Sequence, residues 1–432
     1  SIRCLRPCLP LADAYGLPLQ HKAILYNIEA AMKFSAALCA SSVFGFAAAF
    51  QPLNSVSLPA KYGALSNDAD TSSTSSSSST TALSMATTGP LSCRPIGIGS
   101  AAPKNVVTNK DLEAVVDTSD EWISSRTGIS QRHLLTHPNA DDDEEEAETL
   151  KTLSIQAASN ALEMSGLDPE DIDLVIVATS SPDDMFGDGP SVASALGCKN
   201  AFAYDLTAAC SGFLFSTVTA GQFLHNSGNT IKNAIVVGAD ALSRWVDWDD
   251  RNVCILFGDG AGAMVLTACD DDEDNGILGG ASHSNGEGYV NLNCAYTGSP
   301  RTIATPEELT LSKGEYGNLQ MKGREVYKFA TREVPTVLEE ALDSAGMTAD
   351  DIDWLLLHQA NIRIMDVVAD RLGVPKEKII TNLASYGNTS AGSIPIALDE
   401  AVRSGKVKKG DVIACAGFGA GLSWGSAILK WG

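Results

Sequence analysis

The stretch ALEMSGLDPEDIDLVIVATS, residues 161–180, has a counterpart 180 residues later, ALDSAGMTADDIDWLLLHQA, residues 341–360. Each reads as a helix stopped by glycine, an acidic turn, the tripeptide DID and a continuous apolar strand. A second pair follows in the same order. NAIVVGAD (233–240) and DVIACAGF (411–418) are both buried strands ending in small residues. Matched segments in matched order, at almost one offset, point to an internal duplication. Strands without polar alternation need cover on both faces, so helices must flank each sheet. Two such halves stacked give an α/β/α/β/α body, with strand ends and helix starts meeting at the seam.

The chain has 432 residues, 44% of them hydrophobic, enough for a large core. A formal charge of −23 argues against a nucleic-acid partner, whose phosphates would be repelled. The acidic runs 141–148 and 270–274 read as solvated loops. Ten cysteines form no C-x-x-C pair, and no histidine stands at zinc-finger spacing from one. No metal site or disulfide framework is expected, only buried thiols under reducing conditions.

From Met32 the chain reads MKFSAALCASSVFGFAAAFQP: a short basic start, an apolar run, then small residues. That is signal-peptide grammar, too short and too rich in Ala and Ser for a membrane span. A Ser/Thr-rich stretch within 54–88 follows and cannot fold alone. Residues 1–90 are expected to be a presequence, of which 1–31 could lie upstream of the true start. The signal and Ser/Thr stretch, with Phe50 at their junction, resemble the bipartite presequence of algae with secondary plastids. That resemblance implies the plastid stroma. The two halves are expected over 91–267 and 276–432.

Three polar residues interrupt the apolar pattern. Cys210 follows the strand-like AYDL and precedes the helix-like SGFLFSTVTAGQFL. A helix N-terminus favours thiolate, the nucleophilic form, although most cysteines are simply small buried residues. His358 ends the strand DIDWLLL, and strand ends are where α/β sheets collect their sites. Asn388 lies in NLASYGNTSAGS, where Gly387 and Gly392 permit tight turns. If Asn388 orients His358, the set resembles a cysteine hydrolase. If both donate to one oxygen, they stabilise an enolate, which suits decarboxylation and carbon–carbon bond formation. Spacing leaves both open. The glycine runs GDGAGA (258–263) and GFGAGLSWGSA (417–427) precede strands, so neither is a dinucleotide fingerprint. Backbone N–H groups of the second run could form an oxyanion hole with that of Cys210.

Six stretches together resemble the β-ketoacyl-acyl-carrier-protein synthase III family, the priming condensing enzymes of type II fatty acid synthesis. They are DTSDEWISSRTGI, DLTAACSGF, FGDGAGA, HQANIRI, YGNTSAGS and GFGAGLSWGSA, in family order from about Cys93 onward. The resemblance implies the thiolase fold, a homodimer, and acetyl-CoA and malonyl-acyl-carrier protein as substrates, with no metal or redox cofactor. It implies that Cys210 accepts the acyl group and that His358 and Asn388 assist decarboxylation and condensation. The backbone N–H groups of Cys210 and Ala420 match the family's oxyanion hole. Trp122 and Arg251 match residues flanking the adenine of CoA, with Thr118 and Arg126 nearby. Gly323, Tyr327 and Asn361 fall along the pantetheine arm. Arg363 and Lys328 match carrier-protein docking. Asn252, Tyr327 and Ala420 depart from the common glycine, phenylalanine and glycine. A different acyl-CoA primer, or a non-catalytic paralogue that binds carrier protein, are the alternatives.

Overall fold

The computed structural model describes residues 87–137, 148–228, 230–269, 276–304 and 308–432, all within the unit Ser79–Gly432. The presequence expected over 1–90, apart from its last residues, and nearly all of the two acidic runs lie outside them.

In chain order the first half holds β1 (Cys93–Ala101), α1 (Asp120–Thr127), α2 (Leu150–Ser165), β2 (Leu174–Ala178), α3 (Gly189–Leu196), β3 (Phe202–Leu206), α4 (Gly212–Asn226), β4 (Asn233–Asp240) and β5 (Gly260–Ala268). The second holds β6 (Ile277–Ser284), α5 (Gly323–Ser344), β7 (Trp354–Leu357), α6 (Ile362–Leu372), α7 (Ser393–Arg403), β8 (Val412–Gly419) and β9 (Ser423–Lys430). The first sheet runs β1-β5-β4-β2-β3, and the second β6-β9-β8-β7. Place for place they match: β4 lies parallel to β2 and antiparallel to β5, as β8 lies parallel to β7 and antiparallel to β9. Where β3 closes the first sheet, only a parallel bridge from Leu355 to Ile379 stands in the second.

The repeated DID now has a physical account. Its first aspartate, Asp171 or Asp351, closes a one-turn helix by accepting from the backbone N–H of Asp168 or Thr348. Its isoleucine, Ile172 or Ile352, is buried. Its second aspartate clamps the neighbouring strand: Asp173 accepts from Lys232 and Asn233 N–H, and Asp353 from Val412 N–H. Each apolar strand is thereby held in register beside its partner before any long-range packing is counted.

α2 and α3 cover the outer face of the first sheet, and α5, with α6 against it, covers the second. α4 and α7 lie between the sheets, where one apolar cluster joins Ile98, Ile176, Phe213, Ile394, Leu398 and Ile413. This is the five-layer α/β/α/β/α thiolase-like architecture expected. Full burial of a side chain such as Phe213 contributes about 1.5–3 kcal/mol.

The folded body begins ahead of the expected boundary at residue 91. Thr87 and Thr88 pair antiparallel with Ala281 and Gly280 on the outer edge of β6. Threonine favours strands, and an open sheet edge offers it backbone partners. Inside a Ser/Thr-rich stretch, composition cannot mark where that begins.

Candidate active site

The chain leaves β3 at Leu206 and enters α4 through the tight turn Ala209–Ser211. Ala209 has φ 47°, a left-handed conformation costly for a residue with a Cβ. The strain lifts Cys210 to the mouth of α4, facing the end of β8. Position 419 must be glycine, since a Cβ there would lie 2.6 Å from the Cys210 nitrogen. Serines stitch the halves together at this point. Ser211 Oγ donates to Ser423 O (2.8 Å), and Ser423 Oγ reaches Ala208 O and Ala420 O, both at 3.2 Å. The nucleophile turn is thereby held beside the Ala420 turn.

Asn388 sits on an isolated bridge to Phe257, its backbone bonded on both sides to 256–258. Gly387, at φ 65°, supplies the left-handed turn before it. Gly392 does not, with φ −72°; there a Cβ would lie 2.8 Å from Gly260 O. Ser390 N–H donates to Asn388 Oδ1 at 2.9 Å, which leaves the amide NH2 as the free end. Ser390 Oγ donates to Cys210 Sγ at 3.3 Å. His358 stands at the end of β7, 2% exposed, its ring edge-on to Phe418 with centroids 5.5 Å apart. Its Nδ1 meets Ser393 Oγ at 2.7 Å, and Ser393 Oγ also accepts from Gln359 N–H. Thus one turn, 388–393, touches both the thiol and the imidazole.

These contacts bear on the two readings left open above. In a hydrolase-like set Asn388 would orient His358. Here Ser393 holds the ring, and Asn388 is held by Ser390. That leaves Nε2 as the ring nitrogen that Ser393 does not engage.

Burial dominates the electrostatics. It pushes the Cys210 thiol up to about 12, opposed by the Ser390 hydroxyl and reinforced by the Asp240 carboxylate. Burial thus opposes the thiolate expected from the helix N-terminus, because the packing that seals the seam also removes water. Burial likewise lowers His358 to about 3, so its imidazole is neutral at ordinary pH.

Of the expected CoA residues, Trp122 and Arg126 lie on α1 with Thr118 just before it, Gly323 and Tyr327 on α5, Asn361 at the start of α6, and Arg251 between β4 and β5; α6 packs against both α1 and α5. Two guanidinium groups cover the Trp122 ring, Arg126 at 4.5 Å and Arg251 at 5.1 Å from its centroid. Arg251 is held there by Asp117, through its carbonyl at 2.6 Å and its carboxylate at 3.3 Å. Thr118 Oγ1 is buried without a hydrogen-bond partner among the described residues. Asn361 caps α6 and donates to Arg126 O, tying α6 to α1. Gly323 opens α5, and Tyr327 is partly exposed on it. The two cations expected to dock carrier protein are engaged separately: Lys328 pairs with Glu325 on its own helix, and Arg363 donates to Ser125 O. Asn252 folds back on Asp250.

Sequence reading stopped at Asn388 and missed Ser390, Ser393 and Asp240. The signal was present. Extending the duplication aligns Ala209-Cys210-Ser211-Gly212 with Ser390-Ala391-Gly392-Ser393, and Ser390, like Ala209, has a left-handed φ of 50°.

Family models of 3-oxoacyl-[acyl-carrier-protein] synthase III match residues 204–286, and of its C-terminal part residues 342–431. The chain is 55% identical over 336 residues to the β-ketoacyl-[acyl-carrier-protein] synthase III of Microcystis aeruginosa, covering 78% of this chain and 96% of that one. To the chloroplastic enzyme of that name from Arabidopsis thaliana it is 51% identical over 349 residues, covering 79% and 83%. Among solved structures, the 3-oxoacyl-[acyl-carrier-protein] synthase III of Aquifex aeolicus superposes with a TM-score of 0.69 at 40% identity, covering 78% of this chain and all of that one. Sequence, fold and seam geometry agree, and the chain belongs to the β-ketoacyl-acyl-carrier-protein synthase III family of acyltransferases.

Proposed function

We propose that this chain condenses acetyl-CoA with malonyl-acyl-carrier protein, giving acetoacetyl-acyl-carrier protein, CoA and carbon dioxide. The observation that carries the reading is the turn 388–393, which ties Asn388, Cys210 and His358 to one another through Ser390 and Ser393. The Cys210 sulfur attacks the acetyl thioester as its proton passes to the departing CoA sulfur, and the developing oxyanion is met by the backbone N–H groups of Cys210 and Ala420. CoA leaves, and the malonyl thioester takes its place. A Ser393 hydroxyl donating to Nδ1 keeps the His358 proton on Nε2. That N–H and the Asn388 amide donate to the thioester oxygen as carbon dioxide departs. The carbanion then attacks the acetyl group on Cys210, the S–C bond breaks, and the released Cys210 sulfur takes up a proton from solvent. The steps call for no metal or redox cofactor. A neutral imidazole is the right donor, because it supplies an N–H without a positive charge to desolvate.

Cys210→Ser should abolish transfer of radiolabelled acetyl groups to the protein. His358→Ala and Asn388→Ala should still be acylated but lose condensation with malonyl-carrier protein. Full acylation of the Cys210 variant would overturn the scheme.

Trp122 with Arg251, Arg126 and Thr118 is the proposed adenine end of the CoA site, and Gly323, Tyr327 and Asn361 line the proposed path of its pantetheine arm. Arg363 and Lys328 are the proposed contacts for acidic carrier protein; a local positive patch is needed because the chain itself is acidic. Two copies are proposed to pair through β3. Its outer edge is open among the described residues, and Phe202 is 45% exposed on it beside Phe223. No helix among the described residues is long and apolar enough to cross a membrane. Relatives named chloroplastic, from Arabidopsis thaliana and Cuphea wrightii, support a plastid enzyme. The bipartite presequence rests on the sequence alone. Primer choice is assigned to the site wall built by the buried Phe418 and Leu422.

A further inference from the structure

The duplication extends into the site itself. In the first half the turn Ala209–Ser211 leads into α4 and faces β8, where a Cβ on Gly417 would lie 3.4 Å from Cys210 O. In the second half the turn Ser390–Gly392 leads into α7 and faces β4, where a Cβ on Gly238 would lie 2.2 Å from Ala391 O. Strand registers agree. Gly238 pairs with Gly262 and Asp240 with Gly260, while Gly417 pairs with Gly425 and Gly419 with Ser423. Ala391 is thus the second copy of Cys210, and Asp240 the second copy of Gly419.

The two copies differ at one place in space. Beside Cys210 N–H, glycine leaves room. Beside Ala391 N–H, the Asp240 carboxylate fills it, accepting that N–H at 3.3 Å through Oδ2. Asp240 is 0% exposed and takes part in no ion pair among the described residues. Its Oδ1 accepts from Ser180 N–H (2.8 Å), Ser181 Oγ (2.9 Å) and Thr179 Oγ1 (3.3 Å). Burial pushes its carboxyl up, opposed by the Ser390 hydroxyl, the Ser180 N–H, the Ser181 hydroxyl and the Ala391 N–H; a buried acid surrounded only by neutral donors is costly, and its retention asks for a reason.

We propose that Asp240 is a positioning residue of the Cys210 site, its carboxylate standing in the second copy of the nucleophile turn where the reacting oxyanion stands in the first. This rests on the oxyanion reading of the Cys210 N–H given above. The second copy is silent: it has alanine for the nucleophile, and its own anion fills the hole. What the anion holds is useful. Ala391 follows Ser390, whose N–H fixes Asn388 and whose Oγ reaches Cys210. Asp240 anchors that turn and keeps the Asn388 donor aimed, while its charge, held by those donors against the burial that pushes its own carboxyl up, adds to the upward push of burial on the thiol. The site's other titratable group is the neutral His358 at the end of β7. From β8, Gly417 and Gly419 lie against Cys210, and from the turn after Asn388, Ser390 does.

The test uses the full chain with Asp240→Asn, which keeps the shape and removes the charge. Three quantities are read: the pH midpoint of Cys210 alkylation by iodoacetamide, acylation by radiolabelled acetyl-CoA, and condensation with malonyl-carrier protein. The alkylation midpoint should fall by about 1 pH unit. Condensation should fall at least about tenfold more than acylation. An unchanged midpoint, or equal loss of both reactions, overturns the proposal. Asp240→Glu, which keeps the charge and displaces the turn, covers the case in which Asp240→Asn does not fold. It should keep the parent's midpoint and lose condensation selectively; unchanged condensation overturns the proposal. Cys210→Ser judges the acyl-cysteine reading separately, since its loss of acylation does not depend on Asp240.

Discussion

His358 shows what burial does to one side chain. Its ring is neutral to about pH 3, whereas an unfolded histidine titrates near 6.5. Below about 6.5 the unfolded chain therefore binds a proton that the folded chain refuses, and stability falls with pH. The slope is ~1.4 kcal/mol per pH unit down to about pH 3. His358→Gln should remove this contribution. Urea unfolding at pH 7 and pH 5 should show a smaller acid loss in the variant, and an equal loss in both proteins would contradict the burial account. Cys210 behaves in the opposite sense. With its thiol pushed up to about 12, the fold resists ionisation of the nucleophile, and that contribution is lost only as pH rises past about 9, where the unfolded thiol ionises. Identity and rough place of both residues were legible in the sequence, through a strand ending in His and a strand–cysteine–helix pattern. Their protonation states were not, because desolvation depends on what packs over them from the other half.

At the scale of elements, the DID turns carry the duplication. Asp173 accepts from two backbone N–H groups at the start of β4, and Asp353 from one at the start of β8. Asp173→Ala should therefore destabilise more than Asp353→Ala, about 2 against about 1 kcal/mol, with the urea m-value unchanged. Equal losses would remove the clamp explanation. The end of helix α2 was equally readable, stopped by Gly166 at φ 72°. The edge strand Thr87–Thr88 was not, since two residues carry no period and gain their partners only when β6 is in place.

For the whole molecule, the open edge of β3 is the feature that a single copy leaves unexplained. Phe202 stacks on Tyr204 and meets Phe223 edge-on, and Met185 and Phe186 stand 82% and 95% exposed. Edges and apolar patches of this kind are where copies of a chain pair. Phe202→Glu should convert a dimer to monomers in sedimentation velocity and leave the melting of each subunit cooperative. A parent protein that sediments as a monomer at micromolar concentration would remove the dimer from the proposed function.

From the sequence alone came the duplication, the layered α/β class, the Cys210, His358 and Asn388 set and the family, because helix and strand periods, turn residues and motif order are written locally. Tertiary structure alone set Ser393 against the imidazole, buried the thiol, and placed the Asp240 carboxyl on the Ala391 N–H. Those outcomes turn on hydrogen-bond partners and excluded water at the seam, where residues distant along the chain are brought together only by the packing of one half against the other.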